Sequence, residues 1–252
     1  MKTALNISGG RQAPSDRNQS ILDAYRKIVA AYRAGDFAVT LEWCGKVLEL
    51  DPDHANVLNI AANVAFETGA FDQSFDYFRR LIAIDPGHAE AHAMSGHILG
   101  RRGEYEAAAA AWRASIAINP NDADIFFHLG FALQEGESFA PSIDAYEKAV
   151  GLDPRHHQAW FNLGTMRQVL GDMKGASRAF RQAIEIKTDC AEAYRLLAGL
   201  KTFKKEDGDI AAMQALLDDP ATTDAQAINL HFALAKAHED LQDYDRSFAH
   251  LA

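Results

Sequence analysis

The sequence predicts an all-α fold: an α-α superhelix, a solenoid of about seven helix-turn-helix units. Three observations predict it. The phrases "LDPDH", "IDPGH", "INPND" and "LDPRH" place Pro52, Pro86, Pro120 and Pro154 at a constant spacing of 34 residues. A fixed period of this size marks stacked supersecondary units, each too small to bury its own apolar face. Between the prolines, small and apolar residues recur at helical spacing, with Trp160, Leu163 and Gly164 on one face and Ala176, Phe180 and Ala183 on another. Finally, Gly35-Asp36, Gly69-Ala70, Gly103-Glu104 and Gly171-Asp172 split the units into two helices. Glycine at such a break supplies the left-handed conformation that ends a helix.

Taken in order, residues 1–18 carry Gly, Ser, Asn and Pro without apolar period and read as a mobile tail before an array spanning 19–252. Regular units follow at 21–54, 55–88, 89–122, 123–156 and 157–190. Proline falls only where one unit hands over to the next, because it cannot sit inside a helix. Ala62, Gly96, Gly130 and Gly164 recur where the two helices of a unit are expected to approach closely. The series breaks at Thr188, and 191–227 is an irregular unit. It opens with "AEAYRLLAGL", carries the charged insertion "KKEDGD", and ends its second helix "IAAMQALL" early at "DDP". A new helix is expected at Thr223, with Gln226 at capping-box spacing. An incomplete unit, 228–252, closes the array. Its last helix, Tyr244 to Ala252, has Phe248 and Leu251 as its expected buried face; an isolated helix so short is marginal, so fraying is expected.

Composition excludes several functions. With 35 acidic against 25 basic residues the net charge is −10, so phosphate backbones are repelled and nucleic acid is not an expected partner. "MKTALNISGG" has no leader-length apolar run, and "EAAAAAWRASIAI" is interrupted by Arg113, so no membrane association is expected. Cys44 and Cys190 form no CxxC pair, which fits a reducing, cytoplasmic setting. "GDMKGAS" follows a helix and lacks phosphate-loop spacing. The ten histidines show no metal-ligand motif: His54, His88 and His156 simply close their units, and His88, His92 and His97 match no ligand pattern. Ser115 and Ser142 lie where a small residue is buried, not on a nucleophile elbow. No catalytic residue, metal or cofactor is therefore expected, and the chain reads as a non-enzyme.

The phrase "WFNLG" with Ala176 and Phe180, and "FFHLG" with Ser142, Tyr146 and Pro154, resemble the signature of the tetratricopeptide repeat family. The resemblance implies that the first helices line a concave face through their second, fifth, ninth and twelfth or thirteenth positions. Those positions supply Tyr25, Val29 and Tyr32; Asn59, Asn63 and Phe66; His97 and Arg101; Phe127, Phe131 and Gln134; Phe161, Thr165 and Gln168; and Arg195. The implied ligand is a protein or peptide. Asn59 and Asn63 are placed to grip an extended backbone through their amides. Phe127, Phe131 and Phe161 would form an exposed aromatic patch if they are not core. The carboxylate clamp that some family members use on chaperones is not expected, because Asn63 is the one residue at its positions that fits.

From "AEAYRLLAGLK" to the end, the chain resembles bacterial proteins in which such an array precedes a C-terminal sulfotransferase domain. The phosphate-binding loop of that domain, with its P-R-S-G-T-like sequence, has no counterpart here. Two readings result: a non-catalytic scaffold that binds a protein or peptide in its concave groove, or the substrate-recruiting module of a sulfotransferase whose catalytic domain lies beyond residue 252.

Overall fold

A computed structural model describes residues 14–205 and 207–252. These residues form fourteen helices and no strand. They are α1 (Pro14–Arg33), α2 (Phe37–Leu50), α3 (Ala55–Glu67), α4 (Phe71–Ile84), α5 (Ala89–Arg101), α6 (Tyr105–Ile118), α7 (Ala123–Glu135), α8 (Phe139–Leu152), α9 (His157–Val169), α10 (Met173–Ile186), α11 (Ala191–Leu200), α12 (Gly208–Leu217), α13 (Asp224–Asp240) and α14 (Tyr244–Leu251). The chain forms two compact units, one through Arg102 and one from Gly103. The boundary falls inside the third repeat.

In the first unit consecutive helices pack in order, α1 on α2 through to α4 on α5. Ile28, Cys44, Val47, Leu58, Phe78, Leu81 and Ile98 close a continuous core. Ser74, fully buried in α4, donates its hydroxyl to the carbonyl of Ala62 at 2.8 Å and so remains satisfied where the two helices meet. In the second unit the same order runs from α6 to α11. There Tyr146 and Phe180 are the large buried anchors.

Two glycines are required by packing. A Cβ on Gly164 would lie 2.7 Å from the ring of Phe180, and one on Gly130 would lie 2.7 Å from the ring of Tyr146. Backbone thus presses on an aromatic ring from the partner helix, as the recurring small residues imply. The turn glycines are required by conformation instead: Gly35, Gly69, Gly103 and Gly171 have φ between 72° and 84°. Between Gly103 and Gly171, one period from each, the same role falls to Glu137, with φ 57°. A side chain there carries the cost of a left-handed residue, about 1 kcal/mol or more.

Three expectations are corrected. Helix α1 reaches back to Pro14, so residues 14–18 belong to the array and not to a tail; residues 1–13 lie outside the described residues. The irregular unit is not a helical hairpin: α11 packs chiefly against α13, and α12 sits against α13 while barely touching α11. The insertion explains this. The chain leading into it is anchored independently, with Phe203 buried and its backbone N–H donating to Asp240 on α13 at 3.0 Å. The helix expected at Thr223 forms as α13 from Asp224, behind a Thr223–Gln226 capping box, so residues 224–227 join the closing hairpin. Finally, α14 buries none of its residues: Phe248 is 72% and Leu251 58% exposed. The face that docks on α13 is instead the one carrying His250, which contacts His231 and His238.

Candidate functional site

The offsets that the resemblance assigns to the concave face hold, in the first unit, a polar pair flanked by aromatics. Asn59 and Asn63, one turn apart on α3, are half-buried, and the Asn63 amide donates to the Asn59 carbonyl at 3.2 Å. The two amides therefore brace each other instead of standing as separate bidentate grips, although each amide has further capacity. Tyr25 stacks on His54 with ring centroids 5.9 Å apart. Phe66 meets Phe71 edge-on at 5.3 Å, and the Arg101 guanidinium lies 4.4 Å over the Phe71 ring. His97 is half-buried on α5. Tyr25 and Phe66 thus serve the core with one edge and keep the other available, since both are partly buried against it.

In the second unit, Phe127 lies 4.7 Å from His156 and 6.0 Å from Tyr146. Phe161 lies 5.9 Å from the buried Phe180. Both rings are half-buried, so the aromatic patch expected there is not an open one. Phe131, edge-on to Tyr105, is 38% exposed. Thr165 donates its hydroxyl back to the Phe161 carbonyl at 3.2 Å. Arg195 on α11 donates through Nε to Asn229 on α13 at 2.7 Å, which fixes the guanidinium. Beside it lie two residues absent from the sequence reading, Ile228 and Phe232, 57% and 56% exposed. Counted from Asp224 they occupy the fifth and ninth positions of a first helix. The capping box at Thr223, which sets that count, is the signal that reveals them.

A second hollow lies away from these offsets. A cleft of about 830 Å³ is lined by α8, α9, α10 and α11, with Trp160, Leu163 and Leu197 as apolar floor and Arg167, Arg178 and Arg181 among its cations. Arg167 is paired to Glu147 at 2.6 Å, and Arg181 grips Asp209 with both Nη atoms at 2.5 and 2.8 Å. Burial drives the Asp209 carboxyl upward, but hydrogen bonds from Arg181 and Lys201 outweigh it and hold the group below its ordinary value. Burial pushes the Cys44 thiol up to about 12, which removes it as a thiolate nucleophile. Among the described residues no cluster of three or more His, Cys, Asp or Glu is assembled to hold a metal ion. No described helix is long and apolar enough to cross a membrane.

A family model for the TPR repeat matches residues 96–136, and one for the tetratricopeptide repeat matches 25–89 and 132–189, together more than half of the chain. The chain is a tetratricopeptide-repeat protein. Its fold is similar to a crystal structure of MamA, at 23% identity over 69% of this chain and 95% of that one, with a TM-score of 0.64. MamA from Desulfovibrio magneticus RS-1 aligns at 22% identity over 68% of this chain and 97% of that one, TM-score 0.61. YrrB, described as a TPR protein with an unusual peptide-binding site, aligns at 16% identity over 82% of this chain and 96% of its own, TM-score 0.60. At these identities the likeness shows the fold alone. No curated protein matches this tetratricopeptide-repeat chain.

Proposed function

We propose that this tetratricopeptide-repeat protein is a non-catalytic scaffold that binds a protein or peptide along the inner offsets of its first helices. One observation carries the reading: Phe131, Ile228 and Phe232 are large apolar residues left more than a third exposed at inner offsets of units whose cores are already filled. Ile228 and Phe232 lie beside Arg195, which Asn229 braces, and exposed apolar groups next to a fixed cation favour a partner. In the first unit, taken by itself, Tyr25, Asn59, Asn63, Phe66, His97 and Arg101 occupy the corresponding offsets. The cytoplasm is the proposed setting.

The test is a double substitution, Phe131→Ala with Phe232→Ala. Both rings are substantially exposed, so helicity by circular dichroism should stay the same while partners recovered on the immobilised protein are lost. Unchanged recovery would overturn the reading. Phe127 and Phe161 are poorer targets, because truncating either also opens the core beside Tyr146 or Phe180.

A second reading, the recruiting module of a sulfotransferase, rests on the resemblance of the last quarter of the chain and is favoured by the open apolar face of α14, with Phe248 and Leu251 outermost. It expects a reading frame that continues into a strand–loop–helix phosphate site; a stop codon at residue 253 would dismiss it.

A further inference from the structure

Three histidines that no sequence motif connects come together where α14 meets α13. The Nδ1 atoms of His231 and His250 lie 3.0 Å apart. The ring of His238, two turns along α13 from His231, stacks on His250 with centroids 5.6 Å apart and planes within 9°. His238 is 7% exposed, and its Nδ1 is buried without a hydrogen-bond partner. The cluster therefore gathers more imidazole nitrogen than its own hydrogen bonds use.

We propose that His231 and His250 form a two-imidazole chelate for a borderline transition-metal ion, with zinc or nickel as its chemical class, that clips α14 to α13. The separation is close to what the chemistry needs. Two imidazole nitrogens at roughly 2.0–2.1 Å from a tetrahedral zinc ion stand roughly 3.3 Å apart. The pair at 3.0 Å has to open by a few tenths of an ångström and turn its lone pairs toward a common point. In the metal-free pair one Nδ1 carries the proton and donates it to the other. Metal binding moves that ring to its other tautomer, with the proton on Nε2, and leaves both Nδ1 nitrogens as donors to the ion. His231 and His250 are both half-buried, which leaves the remaining coordination positions to water. The ion would add an attachment to a helix that buries no residue of its own.

The experiment uses the untagged full chain, titrated with zinc chloride by calorimetry and repeated with nickel. The expected result is one ion per chain at a site lost, with affinity falling at least tenfold, in His231→Ala and in His250→Ala. His157→Ala, a histidine of α9, is the control and should bind as the parent does. Hydrogen exchange should show α14 amides protected by zinc in the parent and in the control but in neither variant. Binding of equal strength in the parent and both variants would overturn the proposal. So would the absence of binding by the parent at millimolar zinc.

Discussion

Gly164 shows how the omission of one methyl group sets the distance between two helices. A Cβ there would sit 2.7 Å from Cδ1 and Cε1 of Phe180, atoms of a fully buried ring that has no room to withdraw. Gly164→Leu should therefore lower stability by about 1–3 kcal/mol through overpacking. The thermal midpoint followed by circular dichroism measures this, and an unchanged midpoint would mean that the contact does not constrain the pair. Gly45 is the internal comparison: it lies within α2, and nothing stands within 4 Å of its would-be Cβ. Gly45→Ala should raise stability by about 0.5–1 kcal/mol, because only the backbone-entropy cost of glycine in a helix changes. The same residue type thus bears opposite signs, and what decides is the neighbour, not the helix.

At the scale of elements, α12 buries Met213 and rests Ile210, Ala212, Leu216 and Leu217 against the same core, while charge ties down its first turn. Asp209 in its first turn accepts from Arg181 of α10 and from Lys201 at 2.6 Å. Asp209→Asn should cost about 1–2 kcal/mol, the scale of a charge-assisted hydrogen-bond set that is partly open to solvent, read as a lower urea midpoint. Asp72→Asn, whose carboxylate is 94% exposed in its pair with Arg102, should leave the midpoint where it was. Helix α14 offers a contrasting dependence on pH. Desolvation and the neighbouring His231 and His238 lower the proton affinity of His250, so the unfolded or undocked segment binds protons more readily. The docked state is then fully favoured above the ordinary histidine value and loses ground as pH falls through it. Amide exchange of α14, corrected for intrinsic rates and measured with chelator present, should be faster at pH 5.5 than at 7.5, and His250→Gln should remove that difference. An exchange rate that does not respond to pH would rule the effect out.

Across the whole molecule, local chemistry was legible and long-range pairing was not. The prolines, the turn glycines and the Thr223 capping box each act within a few residues, so their consequences could be read directly from the chain. The close approaches at Gly130 and Gly164 were legible too, because the repeat supplies the partner helix. The preference of α11 for α13 over α12 was hidden, since it depends on Phe203 and Asp240 finding each other across 37 residues. His231 and His250 are likewise joined only by the fold, 19 residues apart. The inner offsets could be counted, but not how much of each ring the core would claim: Phe127 and Phe161 are half-buried while Phe131 and Phe232 are not.

The pairing of α11 with α13 also bears on descent. The segment between Lys201 and Thr223 leaves and rejoins two helices that already touch, and it contributes chiefly Phe203 and Met213 to their shared core. Within a repeat, adding or removing residues shifts every later helix out of phase with its neighbour. Here the principal contact is made without the intervening helix, so changes of length are absorbed in the detour. This is the stretch where a change of length is expected to disturb the array least, because the flanking helices keep their register without it.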